Sequence, residues 1–338
     1  MATIPSKVQQ EKEENPIPSP PQKYNDLISA LPLCTSLPHL SLRQYQGFWF
    51  PDNWLPSIMT MQNHFKARPT DLILASYPKS GTTWLKALAF AVTTRTRYPL
   101  ADHPLLSLNP HDCVLCVDEL FADGHASKAE ALPSPRLLAT HTPYSVLPDS
   151  VTSAESECQI IYVCREAKDV AISGWHFGQN IPWLHVEEQH LLAENLKLFC
   201  QGLGPFGPIW DHILEYWRES QRRPNKVLFL KYEEMMEKPV ENVKRLAEFV
   251  GCPFSEGEER EKVVEEIVQL CSLEKLKNLE VNKTGTLAST NIPNASFFRK
   301  GEVGDWRNHL DPEMARSVDE VCEQKLRGSG LTLGTIKD

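Results

Sequence analysis

The chain has 338 residues, 41% of them hydrophobic, and its 35 lysines and arginines are outnumbered by 44 aspartates and glutamates. The formal net charge of −9 argues against a general nucleic-acid-binding protein, because phosphate contacts normally require a positively charged surface. The apolar fraction is sufficient for a sizeable core, so the composition excludes a disordered chain as the main interpretation.

The N-terminal segment differs in composition from the rest of the chain. Residues 1–22 are polar and rich in proline, which predicts a disordered tail before one domain over residues 23–338. The tail lacks the apolar stretch of a secretory signal, and the longest apolar run, at 85–92, is too short to span a membrane. The nine cysteines are scattered, which favours reduced thiols over a disulfide framework. We therefore expect a cytoplasmic location and no membrane partner.

Short apolar runs alternate with helical stretches along the domain. An apolar run at 71–78 is followed by a KSGT turn and an amphipathic helix over 82–98. Further strands are predicted at 136–142, 159–165 and 226–232, helices at 240–250, 258–271 and 311–326, and an ordered loop at 294–310. This alternation predicts an α/β fold, in which helices flank a central parallel sheet and ligands bind at the C-terminal ends of the strands.

The strongest local motif is YPKSGTTW, which joins the first strand to its helix. Gly81 allows a tight turn, and the helix N-terminus carries the hydroxyls of Ser80, Thr82 and Thr83. Backbone amides and the helix dipole at such a turn predict an anion-binding cradle. The motif is not a Walker A loop, because Lys79 precedes the turn instead of closing it, and a triphosphate-dependent kinase is correspondingly less favoured. A simple turn without a ligand is the alternative.

This motif resembles the 5′-phosphosulfate loop of the cytosolic sulfotransferases, particularly their plant branch. Family-like segments follow in order: NPHD (109–112), LPSPRLLATH (132–141), IIYVCREAKDVAISGWHF (160–177), GPIWDHILEYW (207–217), KVLFLKYEEM (226–235), LEVNK (279–283), FFRKGEVGDWRNHL (297–310) and QKLRGSGL (324–331). The resemblance covers about residues 24–333, and an ordered series is far more specific than one motif. It implies a P-loop-like fold and transfer of a sulfuryl group from 3′-phosphoadenosine 5′-phosphosulfate (PAPS) to a small acceptor, which leaves adenosine 3′,5′-bisphosphate (PAP).

The resemblance implies catalytic roles for two residues and no metal ion. Negative charge develops on the departing 5′-phosphate, and Lys79 is the cation expected to stabilise it. His141 occupies the family's position for the base, and the ordinary pKa of histidine suits that task. A lone histidine is usually structural or merely exposed, and that interpretation would apply to His141 without the family context.

Further matches imply how the 3′-phosphate of the donor is bound. Arg165 and Ser173 match the family's ligands, and arginine suits phosphate because it is planar and permanently charged. The alternative is that Arg165 only pairs with an acid such as Asp169. Arg299, Lys300 and Gly301 match a second element that binds this phosphate in the family, and we call them the second clamp. Because these cations should repel one another without a ligand, we expect the 294–310 loop to be mobile until the bisphosphate binds.

Two aromatic residues match positions that contact adenine in the family. Trp84 and Tyr232 offer a ring face and a phenol, although core packing is the usual role of such side chains. Leu273 departs from the plant Cys-Ser-Phe sequence and removes a stacking surface. Ala139 departs from the lysine of many animal members, and plant members commonly do without that lysine.

A group of metal-ligand residues invites another interpretation. His111, Cys113 and Cys116 form an H-x-C-x-x-C sequence, but no second pair follows at the spacing of a zinc site. A metal or redox role is therefore disfavoured.

The acceptor is expected at four segments rich in aromatic and apolar residues: 45–50, 110–117, 174–184 and 284–296. Their composition predicts a hydrophobic, hydroxylated small molecule of the flavonoid, steroid or hormone-like type, and the sequence does not choose among these. Two other functions stay open, a small-molecule kinase and a non-catalytic PAP sensor. The oligomeric state is also left open.

Overall fold

The structure is a computed structural model that describes residues 23–37, 40–122, 126–182, 184, 192–288 and 290–334. The predicted tail at 1–22 lies outside the described residues. The division into that tail and one domain over 23–338 stays a prediction.

The described strands form two sheets. The N-terminal sheet is antiparallel, in the order β1 (Leu33–Leu37), β2 (Leu40–Tyr45) and β3 (Phe48–Pro51). The central sheet is parallel and contains β4 (Leu72–Ser76), β5 (Leu115–Cys116), β6 (Leu137–Thr140), β7 (Gln159–Cys164) and β8 (Val227–Lys231). Its strand order is β5-β6-β4-β7-β8. The predicted α/β fold with a central parallel sheet is confirmed.

The helices occupy most of the chain between and after these strands. They are α1 (Lys23–Ala30), α2 (Leu55–His64), α3 (Thr82–Thr94), α4 (Pro110–Cys113), α5 (Val117–Ala122), α6 (Ala126–Ala131), α7 (Asp149–Thr152), α8 (Ala167–Gly178), α9 (Leu192–Cys200), α10 (Ile209–Arg222), α11 (Tyr232–Glu237), α12 (Pro239–Phe249), α13 (Glu256–Arg260), α14 (Val263–Leu270), α15 (Leu273–Asn278), α16 (Glu280–Lys283) and α17 (Pro312–Leu326). None of the described helices combines the length and apolar character needed to cross a bilayer.

Alternate side chains of the central strands pack into two separate cores. In β7, Ile160 and Tyr162 belong to the core that contains residues of α2 and α10, whereas Ile161 and Val163 belong to the core that contains residues of α3, α12 and α14. Both faces of the sheet are therefore covered, which explains why its strands are continuous apolar runs without polar alternation.

The sheet order fixes where a ligand can bind. β4 lies between β6 and β7, with Ala75 paired to Thr140 and Ser76 paired to Val163. The chain leaves β4 for strands on one side and then returns to the other side, which is the topological switch point of a parallel sheet. The loops after β4, β6 and β7 therefore meet at one edge.

Two predicted elements differ from the structure. The predicted helix at 258–271 is divided into α13 and α14, because Lys262 between them has a left-handed backbone with φ of 58°. The predicted loop at 294–310 contains two 3₁₀ helices, Asn294–Phe297 and Asp305–Asn308. The antiparallel N-terminal sheet was not predicted.

Candidate active site

A cavity of about 1430 Å³ lies where the loops after the parallel strands meet. It is lined by twelve of the thirteen residues named from the sequence: Lys79, Gly81, Thr82, Thr83, Trp84, His141, Arg165, Ser173, Tyr232, Arg299, Lys300 and Gly301. Ser80 is fully buried and does not line the cavity. The fold therefore brings together residues that are up to 222 positions apart in the sequence.

The loop between β4 and α3 is a tight turn with a left-handed backbone at two positions. Lys79 and Gly81 both have left-handed backbones, with φ of 69° and 105°. A Cβ atom on Gly81 would lie 2.6 Å from Cδ2 of Tyr232, so this position requires glycine. The Thr82 hydroxyl lies 2.6 Å from that of Ser76, which ties the start of α3 to the end of β4.

Lys79 carries its amine into an apolar and cationic part of the cavity. Its Nζ atom lies 3.5 Å from the centre of the Phe177 ring and 5.8 Å from that of Phe297. Burial, together with the nearby charges of Arg165 and Arg299, lowers the pKa of Lys79 to about 7. A bound anion would reverse this effect, because it would favour the charged amine.

The ring of His141 is held in one tautomer. Its Nδ1 atom donates to the carbonyl oxygen of Ser76 at 2.8 Å, because a carbonyl can only accept, and Nε2 is left as the acceptor. Burial lowers the pKa of His141, although the bond to Ser76 and the charge of Asp118 oppose that effect. The imidazole is therefore neutral near pH 7 and able to accept a proton at Nε2.

Two buried residues that were not predicted hold the backbone of His141. Asp118 accepts from the His141 N–H at 2.7 Å and from the hydroxyls of Thr140 and Thr142 at 2.7 and 2.9 Å. His212 donates through Nε2 to the His141 carbonyl at 2.9 Å, and its Nδ1 accepts from the Tyr162 hydroxyl at 2.9 Å. The two flanking threonines were a weak signal that a buried acceptor exists, but nothing in the sequence pointed to Asp118.

Arg165 pairs with Asp169 and also lines the cavity. One guanidinium nitrogen lies 3.3 Å from a carboxylate oxygen of Asp169, and the same residue lines the cavity with its Cζ atom 4.5 Å from the centre of the Tyr232 ring. Its Nε atom is buried and has no hydrogen-bond partner among the described residues. The ion pair therefore leaves part of the guanidinium available for another acceptor.

The second clamp is organised by one buried carboxylate. Arg299 Nη1 and Lys300 Nζ each lie 2.7 Å from an oxygen of Asp305, whose side chain is fully buried. Burial raises the pKa of Asp305, but hydrogen bonds from Lys300, Asn308 and Arg299 outweigh it and hold that pKa below its ordinary value. Asp305 and Asp169 supply counter-charges, so the expected repulsion between the cations is compensated in part, although Arg165 and Arg299 still lower the pKa of Lys79.

The loop that carries this clamp is attached to helix α8. Asp169 accepts from the backbone N–H groups of Gly304 and Trp306 at 2.8 and 3.0 Å. Whether the loop moves before a ligand binds stays a prediction, but its attachment to Asp169 opposes such motion.

An aromatic and aliphatic wall closes this end of the cavity. Trp84 and Tyr232 meet edge to face with their ring centres 5.4 Å apart, and the Tyr232 hydroxyl donates to the Gly301 carbonyl at 2.7 Å. Gly301 has a left-handed backbone with φ of 66°, and a Cβ atom there would lie 2.7 Å from Cδ2 of Leu273. Leu273 therefore lies beside Gly301 and lines the cavity.

The arrangement fits a nucleotide with two anionic ends. Its lining cations include Lys79, Arg165, Arg299 and Lys300, and the buried Nε atoms of Arg165 and Arg299 have no partner among the described residues. An anion would supply those partners and would raise the lowered pKa of Lys79. Over the described part of the chain, no group of three or more histidine, cysteine or acidic side chains could hold a metal ion.

The other end of the cavity is mainly apolar. Three of the four predicted acceptor segments contribute to it, for example through His111, Phe177 and Ile292. Residues 45–50 do not line the cavity, because Phe48 and Phe50 are buried in the core, and the following residues 51–54 line it instead.

Comparison with known proteins adds the family. Residues 69–330 match the model described as the sulfotransferase domain. The chain belongs to the sulfotransferase family. Cytosolic sulfotransferase 13 of Arabidopsis thaliana is 45% identical over 312 residues, which cover 91% of this chain and 93% of that protein. Its name agrees with the cytoplasmic location expected from the sequence.

Solved structures extend the comparison to the fold and the donor. An Arabidopsis thaliana protein provisionally assigned as a steroid sulphotransferase has a TM-score of 0.72 and 35% identity, with 98% of this chain and 100% of that chain covered. A mouse sulfotransferase complexed with PAP has a TM-score of 0.67 and 29% identity, with 85% of this chain and 95% of that chain covered. The protein is thus a PAPS-dependent sulfotransferase that acts on small acceptors.

Proposed function

We propose that His141 is the base and Lys79 the leaving-group cation of a sulfotransferase that acts on a hydrophobic, hydroxylated small molecule. The observation that carries this proposal is the tautomer of His141, whose Nδ1–H is committed to Ser76 while Nε2 can accept the proton of an acceptor hydroxyl. A neutral imidazole is required for that step, and burial of His141 lowers its pKa accordingly.

The donor site is proposed to consist of the residues named from the sequence. PAPS, when bound, supplies an electrophilic sulfuryl group attached to a phosphate leaving group. The turn at Lys79–Thr83 and the start of α3 would bind its 5′ end, and Lys79 would stabilise charge on the leaving phosphate. The clamp residues Arg165, Ser173, Arg299, Lys300 and Gly301 would bind the 3′-phosphate, and Trp84 and Tyr232 the adenine.

The acceptor is proposed to occupy the apolar end of the cavity beside His141. Phe206 lies 5.7 Å from the His141 ring, centre to centre, and Tyr77 and Phe177 line the same cavity. These side chains favour a flat or fused-ring molecule such as a flavonoid, a steroid or a hormone-like metabolite. The similar Arabidopsis structure, provisionally assigned as a steroid sulphotransferase, is in keeping with this class.

Thermal unfolding with PAP tests whether donor binding is independent of the proposed base, His141. We expect saturating PAP to raise the Tm of the wild type and of His141→Ala by similar amounts, because His141 is not assigned to donor binding. Adenosine 5′-monophosphate should give a clearly smaller shift, because it lacks the 3′-phosphate. Equal shifts with both nucleotides would contradict the 3′-phosphate clamp.

A further inference from the structure

A chain of polar contacts begins at the turn formed by residues 79–83, which we call the donor loop. The sequence analysis did not assign a function to these contacts. Lys86 Nζ lies 3.1 Å from Nδ1 of His111, and Nε2 of the same ring lies 2.9 Å from the Thr83 hydroxyl. Lys86 is only 2% exposed, and all three residues line the cavity. Thr83 and Lys86 are one turn apart on α3, so His111 bridges two positions on one face of the helix that begins at the donor loop.

Several neighbouring residues hold the His111 ring in place. Asn109 begins α4, and its side-chain oxygen accepts from the His111 N–H at 2.9 Å. The Asn109 amide in turn donates to Asn282 at 2.9 Å, within the buried interior. The face of the imidazole lies on Phe297, with the ring centres 4.2 Å apart. The ring therefore has little freedom to turn, and its two nitrogens keep their partners.

The chemistry of the partners fixes where the protons are. Burial lowers the pKa of Lys86, and the nearby Cys116, Glu119, Asp118 and Asp112 oppose that effect only in part. The Lys86 amine carries N–H groups in either protonation state, and with Lys86 as the donor, Nδ1 of His111 accepts and Nε2 carries the hydrogen. The Nε2–H then donates to the Thr83 oxygen. The hydroxyl hydrogen of Thr83 is consequently left to donate elsewhere.

We propose that Lys86 and His111 are positioning residues that hold the Thr83 hydroxyl as a donor toward the 5′-phosphosulfate end of bound PAPS. This inference rests on the proposed donor site, in which Thr83 belongs to the anion-binding turn. A donor fixed before the ligand arrives needs no reorientation when it binds, and the Nε2–H bond polarises the hydroxyl. The H-x-C-x-x-C sequence thus supplies a histidine with hydrogen-bonding partners, Lys86 and Thr83.

Two substitutions of His111 separate this role from simple packing. The side-chain oxygen of His111→Asn can still accept from Lys86 but its amide does not reach Thr83, whereas His111→Gln places an amide N–H near the position of Nε2. We expect His111→Asn to weaken PAP binding and raise the KM for PAPS by about tenfold, the value of one hydrogen bond to a charged system. His111→Gln should stay within about threefold of the wild type. Equal losses, no losses, or a larger loss in His111→Gln would overturn the proposal.

A double-mutant cycle tests whether the effect passes through Thr83. In a Thr83→Val background, which lacks the hydroxyl, His111→Asn should cost less than twofold in PAP affinity measured by calorimetry. A full tenfold loss in that background would overturn the inference.

The matched control is His103→Asn. His103 is a buried histidine whose Nε2 contacts the Thr94 hydroxyl at 3.2 Å at the other end of α3, away from the cavity. Its substitution should change thermal stability but not PAP affinity, and a tenfold loss of affinity there would overturn the proposal. Failure of the wild type to bind PAP would instead refute the donor site itself.

Discussion

His141 shows how many neighbours are needed to prepare one side chain for proton transfer. Its ring is fixed through Ser76, its N–H through Asp118 and its carbonyl through His212. Asp118 has the largest share of this work, because its two oxygens accept from a backbone N–H and two hydroxyls while fully buried. A fixed imidazole can meet a hydroxyl without a search over orientations.

Asp118→Asn tests the support of the base. An amide at this position would place an N–H group against one of the donors that Asp118 now accepts from, and His141 would shift. We expect kcat to fall by about tenfold or more with PAP affinity unchanged, as measured by transfer kinetics and calorimetry. Asp112→Asn, at an exposed carboxylate of α4, is the control and should leave kcat as it is. Wild-type kcat in Asp118→Asn would contradict the positioning role.

Lys79 makes donor binding depend on pH. Its pKa is about 7 in the protein without ligand, because the amine is buried and lies near Arg165 and Arg299. Bound phosphate favours the ammonium and raises that pKa, so binding takes up protons above about pH 7, and PAP affinity falls by up to about tenfold per pH unit there.

The comparison with Lys79→Arg isolates that effect, because arginine stays charged throughout this range. Calorimetry in buffers with different ionisation enthalpies should show proton uptake near pH 8 for the wild type and clearly less for Lys79→Arg. The same uptake in both proteins would contradict the lowered pKa of Lys79.

The sequence allowed us to predict the site residues that directly follow strands. It did not allow us to predict residues that reach the site from distant segments of the chain. Lys79, His141 and Arg165 each lie within three residues of the C-terminal end of a parallel strand, so periodicity and motif placed them correctly. Asp118 and His212 come from segments 23 and 71 residues away from His141, and their contacts depend on tertiary packing. Local patterns carry no information on such contacts.

Among the elements, the loop from Phe297 to Trp306 is the one on which the proposed donor site most depends. Asp169 of α8 accepts a hydrogen bond from the loop backbone, and Asp305 forms ion pairs with Arg299 and Lys300. Because Gly301 has no side chain, the loop can pass close to Tyr232 and Leu273. The sequence identified this segment and its RKG residues. It named Asp169 only as an alternative partner of Arg165 and did not identify Asp305 as a counter-charge, because motif matching assigned only the cations.

Gly301→Ala tests the close approach of this loop. The new Cβ would lie 2.7 Å from Leu273, in addition to the cost of about 1–2 kcal/mol for a left-handed alanine. We expect PAP affinity to fall by tenfold or more in calorimetry. Gly251→Ala is the matched control, because Gly251 has a φ of 73° but nothing within 4 Å of its Cβ position. It should lose similar stability with unchanged affinity. Wild-type affinity in Gly301→Ala would contradict the predicted contact.

Across the whole molecule, an acidic chain encloses a basic site. The net charge of −9 excluded nucleic acid as a partner, yet Lys79, Arg165, Arg299 and Lys300 line one cavity. The central sheet was predictable because both of its faces are buried and its strands are continuous apolar runs. The N-terminal antiparallel sheet was missed, because the aromatic residues of β3 were interpreted as acceptor contacts although two of its phenylalanines are buried in the core.

The most direct test of the account is transfer of a labelled sulfuryl group from PAPS to a panel of flavonoids, steroids and hormone-like hydroxylated metabolites, with a chelator present. The wild type should form labelled product without any divalent metal, and His141→Ala should form at least a thousandfold less while still binding PAP. Product formation by His141→Ala at the wild-type rate would contradict the assignment of the base. Tight PAP binding without transfer to any acceptor would instead indicate a non-catalytic sensor.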